Sequence, residues 1–384
     1  MDRAVKRRGD STLTSTEPIL ALLEKPLAGR AWRVAVVAFA IYYLGSAVAA
    51  WFAGTLYSQS TVSSGAAIPY VSALVRFLAF VEPPSSGNFV SLSSDFAHFN
   101  FSVLTCLVAL PLGYAFMRRI PEEFRMYFGS STADCSEFLA RLRSRLALRL
   151  NAALAVGFAL LAGSTFVWLA RSDGAEAVRW WGNSRFGGAG YYLAFGQAVF
   201  CYYAMWGFIF LLILNRSIRD AAAATTVFHP FHHDGYHGFQ PLARLIAWQA
   251  GLILIVGTAL FSTFYMGYFG LEQLPLTYLS MVAFLAVTGA ALASPLWDLT
   301  KQVRKLRTEA ISDIGPRIHS MALQIRRGKL NQQDTQTLAI MMDLHDAMKS
   351  AQTLPFSVAA LNGVIFGYGL QAAVLIRQFY AHHR

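Results

Sequence analysis

Charge is scarce in this chain. Asp, Glu, Lys and Arg make up 14% of its 384 residues, where a soluble domain carries about 25%. Apolar residues reach 55% and the mean hydropathy is +0.42, so the two or three soluble domains that the length would allow are excluded. Cysteine is scarce too. Cys106, Cys135 and Cys201 lie far apart, which excludes a disulfide framework and a cysteine zinc site. Carboxylates are missing from every apolar run, with Asp95 and Glu272 at the edges. Proton-driven carriers keep an ionisable group at membrane depth, so this absence speaks against one, and against a membrane hydrolase with paired acids. No G-x-S-x-G, P-loop or dinucleotide fingerprint occurs. No apolar core with a small-residue cleavage site follows the basic start MDRAVKRRGD, so the first apolar run is expected to serve as the targeting signal.

What is present is apolar length. Six runs approach or exceed the roughly 20 residues that cross a bilayer: 31–56, 96–117, 151–170, 191–214, 245–269 and 276–295. They predict an all-α, polytopic membrane helix bundle. Residues 1–30 form a basic arm, in which Ile19–Glu24 could make a short amphipathic helix. Ala66–Val81 is apolar but short and carries Arg76, which suits an interfacial or re-entrant segment. Pro111 is expected to interrupt the second span.

Residues 132–150 read as an amphipathic helix with Leu139, Leu142, Leu146 and Leu150 on one face. It is expected to run unbroken into the third span. Its arginines, Arg141, Arg143, Arg145 and Arg149, precede the apolar run and are mostly two residues apart. That excludes a voltage sensor and suggests a grip on anionic lipid. Residues 298–353 form a polar helical region, expected to break at Gly315-Pro316 and again near 328–331. Ile314, Ile318, Met321 and Ile325, then Leu338, Met341, Met342 and Leu344, recur at helical spacing and call for a partner helix. Residues 354–384 are a seventh apolar segment and tail, which spans or re-enters.

The net charge of +11 is concentrated. Segments that face one side, 1–33, 118–149, 215–244 and 298–353, hold 26 of the 32 Lys and Arg. By the positive-inside rule the N-terminus is cytoplasmic, and the basic balance marks a membrane face rather than a nucleic-acid partner. The extension formed by 132–150 and 299–350 is expected to mediate a homo-oligomer.

One polar stretch stands apart, residues 228–242, FHPFHHDGYHGFQPL. His229, His232, His233, Asp234 and His237 supply nitrogen and oxygen ligands suited to a divalent transition metal such as zinc, copper or nickel, although the spacing matches no H-E-x-x-H pattern. The same histidines could sense pH. The plainer reading is a structural loop. In it Pro230 and Pro241 stop helices, Gly235 and Gly238 allow a tight turn, and Asp234 caps. The string HHDGYHGFQPL resembles the HPDGxGGLxPL loop of a group of uncharacterised bacterial multi-pass membrane proteins. Leu354-Pro355-Phe356-Ser357 is similar to the Trp-Pro-Phe-Asp step before that group's last apolar segment. His232, Asp234, Gly235, Gly238, Pro241 and Leu242 match; His233 stands for Pro, His237 for Gly and Phe239 for Leu. The resemblance implies the order of spans and a bacterial inner-membrane location, and no activity.

Gln197, Gln249, His98 and Asn100 are the polar residues nearest the middle of the spans, where interhelical hydrogen bonds are their usual role. Three function classes follow. A channel- or transporter-like protein gated from the cytoplasmic face would place Gln197, Gln249 or aromatic residues on the axis of a symmetric oligomer. A signalling or scaffold protein would have a dry interior. A metal-dependent membrane enzyme would gather the loop histidines on a cavity.

Overall fold

The computed structural model describes residues 31–53, 56, 96–129, 132–171, 188–224, 237–265, 275–327, 332–350 and 358–382. The basic arm, the Ala66–Val81 segment, the turn at 270–274 and most of the 228–242 stretch lie outside the described residues. Helix α1 runs Ala31–Phe39, widens to a π turn at Ala40–Leu44 and resumes over Gly45–Phe52. Helix α2 runs Phe96–Ser102, has a π turn at Val103–Ala109 and continues over Leu110–Phe128. Then come α3 (Thr132–Leu146), α4 (Arg149–Arg171), α5 (Gly188–Ala224), α6 (Gln240–Tyr265), α7 (Pro275–Arg326), α8 (Gln332–Ser350) and α9 (Val358–His382). The described residues include no strand. Among the described residues six helical segments are long and apolar enough to cross a membrane, α1, α2, the α3–α4 pair, α5, α6 and α7. The protein is an all-α integral membrane bundle.

Several helices outlast the bilayer. At 1.5 Å per residue the 37 residues of α5 measure about 55 Å and the 52 of α7 about 78 Å, against a hydrocarbon thickness of about 30 Å. The excess collects at one end, called basal here, where α1, α6 and α9 begin, α2 and α5 finish, and α3, α8 and the second half of α7 lie. The largest fully buried side chains are concentrated there, among them Phe124, Ile120, Leu142, Leu214, Ile218, Phe239 and Leu242. By contrast Leu160, Leu161 and Phe366 are more than 60% exposed, as lipid-facing residues are.

Four sequence expectations about boundaries change. First, α3 does not continue into α4. The chain breaks at 147–148, where the Asn151 amide donates to the carbonyls of Arg145 (2.8 Å) and Leu146 (3.1 Å) and so satisfies the open end of α3. Second, α7 passes through Gly315-Pro316 without a break. Proline forfeits one backbone bond, but Ile311 and Ile314 in the turn just before it are packed against the core that Leu344 and Met348 of α8 complete, and packing outweighs the local loss. Third, Pro111 follows the α2 π turn, whose altered register accommodates the missing N–H, so the helix is not interrupted. Fourth, α6 starts at Gln240, five residues before the apolar run. Pro241 therefore lies in the first helical turn, where its N–H is not needed, and does not end a helix.

Small residues set the closest contacts. On α4, Ala155, Ala159 and Gly163 repeat every four residues, and Ala155 and Ala159 are buried. A Cβ at Gly163 would stand 3.1 Å from that of Ala198 on α5. Helix pairs in lipid associate through such stripes, because packing replaces the missing hydrophobic drive. The long α5 also packs on α1, α3 and α7; α6 packs on α2, α7 and α9; α8 folds back on α7. Helix α9 is unbroken through Gly363, Gly367 and Gly369 and measures about 37 Å over 25 residues. It lies on α6 with Gly367 against Leu254 and Gln371 over Gly257.

The α6–α9 contact carries a polar tie. The Gln371 amide donates to the Leu254 carbonyl at 3.2 Å, and Gly257 makes room for it, since a Cβ there would sit 2.6 Å from its Nε2. Such bonds in lipid average about 0.6 kcal/mol. Gln371→Leu is expected to lower the apparent unfolding temperature in detergent by only a degree or two, whereas Gly257→Leu, which drives a branched side chain into the amide, should lower it several times more. Equal effects would show that the notch does not hold α9.

Candidate functional site

Of the sequence-predicted metal set, His229, His232, His233 and Asp234 lie outside the described residues, as does Gly235. His237 is described. It is 6% exposed and has φ +58°, and Gly238 beside it has φ +90°. Two successive residues in the left-handed region turn the chain sharply into α6. Glycine takes that conformation without penalty, and histidine is among the side chains that tolerate it. Among the described residues no group of three or more His, Cys, Asp and Glu side chains comes together.

The turn is fastened to the basal core. Phe239 is 1% exposed and its ring centroid lies 5.9 Å from that of Tyr127. Tyr127 in turn donates to the Ala221 carbonyl near the end of α5 at 3.3 Å. The two helices that flank the polar stretch are thus both held by one tyrosine of α2.

Around this point the basal charges pair across helices. Arg145 of α3 meets Asp220 of α5 at 3.0 Å, and the neighbouring Arg219 reaches Asp298 of α7 at 4.0 Å. Arg244 of α6 lies 3.5 Å from Glu123 of α2 and also donates to Gln240 at 2.8 Å. Arg119 sits over the Trp248 ring at 5.0 Å. Exposed pairs of this kind stabilise by under about 1 kcal/mol. Glu123 differs. It is 4% exposed and lies beyond the apolar part of α2, past Arg118 and Arg119. Its second oxygen has no hydrogen-bond partner. Burial pushes its carboxyl above the usual range, against the downward pull of Arg244 and Arg119.

The expected lipid-gripping arginines are used differently from one another. Arg145 is engaged by Asp220, Arg141 pairs with Glu137 at 3.8 Å on an exposed face, Arg143 is half-buried, and Arg149 opens α4 as an exposed residue.

At membrane depth the two glutamines part company. Gln197 donates to the Tyr42 hydroxyl of α1 at 3.3 Å, the interhelical bond expected of it. Gln249 is 0% exposed within a single chain, so it cannot line an axis between copies, and both its amide atoms are without a hydrogen-bond partner. It lies on the face of α6 that carries the buried Leu242, Leu245, Ile246 and Ile253. Asn215 of α5 bonds the Ala291 carbonyl of α7 at 2.7 Å through its amide nitrogen, and its oxygen has no partner.

Toward the other end, the α1 π turn gathers an aromatic group. The ring of Tyr42 lies 5.1 Å and that of Tyr43 5.7 Å from the buried His98 imidazole, with Phe101 6.2 Å from Tyr42. Tyr42 also fills the notch left by Gly196, and Tyr192 of α5 fills the one left by Gly45 and donates to the Ile41 carbonyl.

Sequence reading missed Glu123 and Arg244 as a pair. The only signal was a pair of adjacent acids, Glu122 and Glu123, in a basic segment, and nothing in the chain order brings residue 123 to residue 244. No family model, curated protein or solved structure matches this chain.

Proposed function

We propose that the protein provides a path across the membrane for a small solute, that the path lies inside one chain, and that it is gated at the basal end, which faces the cytoplasm. The observation that carries this is Gln249. An amide buried with no partner costs about 1–3 kcal/mol for each unsatisfied group, and its neighbours Leu245, Ile246 and Ile253 would accept a leucine. A polar group held there at that cost suits contact with something that passes. The tightly packed basal core beneath it supports a closed state, and the basic residues of that end support its cytoplasmic placement.

Reconstituted vesicles test the reading. Flux of potassium, chloride, urea and glycerol is measured against protein-free vesicles. At least one is expected to cross faster, and Gln249→Leu should reduce that flux at least tenfold while leaving the unfolding temperature unchanged or raised. Background flux for all four, or full flux in the leucine variant, overturns it.

One observation favours a second reading, a signalling or scaffold protein. The α7–α8 hairpin leaves Ile340 67% and Met342 50% exposed, two apolar side chains open to a partner chain or a second copy. Silence of the vesicles together with oligomerisation lost on Ile340→Glu would favour it.

A further inference from the structure

We propose that Glu123 is a proton-responsive latch of the basal end: the neutral acid keeps α2 and α6 packed together, and the carboxylate favours their separation. The inference rests on the reading of this end as a gate, but its test is conformational and does not need a solute. The geometry is specific. Glu123 is buried at 4% exposure, with Arg244 across the helix boundary at 3.5 Å and no hydrogen-bond partner for Oε2. A carboxylate in that position has lost most of its water in exchange for one long contact to a cation that is itself 44% exposed. A carboxylic acid gives up far less on burial.

The surroundings leave the balance with burial. The charges that act on Glu123 are Arg244 from α6 and, from its own helix, Arg119 and Glu122. Arg119 is drawn over the Trp248 face. Arg125 acts on Cys135 of α3, which meets this end of α2 through Phe138 against Phe124 and Phe128. Arg33 opens α1, the other helix packed along α2. Desolvation is the largest influence and raises the proton affinity of the packed state. A conformation that binds a proton more tightly is favoured by acid. If α2 and α6 part, water reaches both oxygens and the group returns toward its ordinary value of 4.5. The packed state is therefore fully favoured below that value, and its advantage is lost as pH rises through the elevated value.

Position turns this local balance into a gate. One turn beyond Glu123 on α2, Tyr127 holds both Phe239 and the Ala221 carbonyl. Release of Arg244 and of the first turn of α6 would thus loosen the hold of Tyr127 on Phe239 at the start of α6 and on the end of α5.

The test is backbone hydrogen exchange of the full chain in vesicles, read at residues 118–128 and 237–247. Wild type and Glu123→Gln are compared at the same pH from 3.5 to 8.5, which cancels the intrinsic rates. At pH 8.5 wild type is expected to exchange at least fivefold faster than the glutamine variant, and below pH 4 the two should converge. Arg244→Gln removes the closest cation and should exchange faster than wild type at pH 8.5 and equally below pH 4. Identical exchange at all pH values, or faster exchange in Glu123→Gln, overturns the latch. Vesicles silent to all solutes with exchange suppressed by Glu123→Gln would keep the latch and remove the path. Measurable flux with unchanged exchange would do the reverse.

Discussion

Phe124→Ala is expected to lower the unfolding free energy by about 3–5 kcal/mol, the range for truncating a fully buried phenylalanine. Phe124 is 0% exposed and lies 4.7 Å, centroid to centroid, from Phe138 of α3. It belongs to the part of α2 that projects past the bilayer, so unfolding there exposes the ring to water and the loss is the ordinary one for a core. Phe158 on α4 is the matched control. It is 40% exposed within an apolar span, where removing the ring exchanges lipid contact for lipid contact, and Phe158→Ala should cost less than about 1 kcal/mol because packing in lipid has no hydrophobic drive behind it. Denaturant unfolding in detergent compares them. Equal sensitivity of the two sites would show that the basal cluster is not the water-excluding core of this protein.

The second large effect concerns the α1–α5 contact. Gly196→Leu places a branched side chain where the Tyr42 ring lies. Overpacking costs about 1–3 kcal/mol, and here the displaced ring also carries the Gln197 bond and the contact with His98. The variant should lose stability by the upper part of that range or leave α1 undocked, with the segment around Tyr42 open to protease. Removing the ring should restore room: Tyr42→Ala with Gly196→Leu is expected to be more stable than the sum of the single losses, since contacting sites couple by about 0.5–3 kcal/mol. Simple additivity would place the strain elsewhere.

The architecture was legible because each apolar run must satisfy its own backbone in lipid, which forces helices of a set length. The ends of those helices were less legible. Asn151 stops α3 with its side chain, and Pro316 fails to stop α7; both outcomes depend on what lies beside the residue in space. The glycine at 163 and the alanines before it did carry a signal, the four-residue repeat of small side chains. The polar stretch drew attention through its histidines, yet the described structure directs attention to its edge, where Phe239 and Arg244 meet α2.

The amino-acid sequence by itself determined that this chain is a helical membrane bundle with one strongly basic face, because hydropathy and charge act residue by residue on transfer into lipid. Only the tertiary structure decided which polar groups matter. Gln197 finds Tyr42 while Gln249 finds no partner, and Glu123 is buried against a residue 121 positions away. Burial and pairing are properties of neighbours, and neighbours across helices are set by packing rather than by chain order.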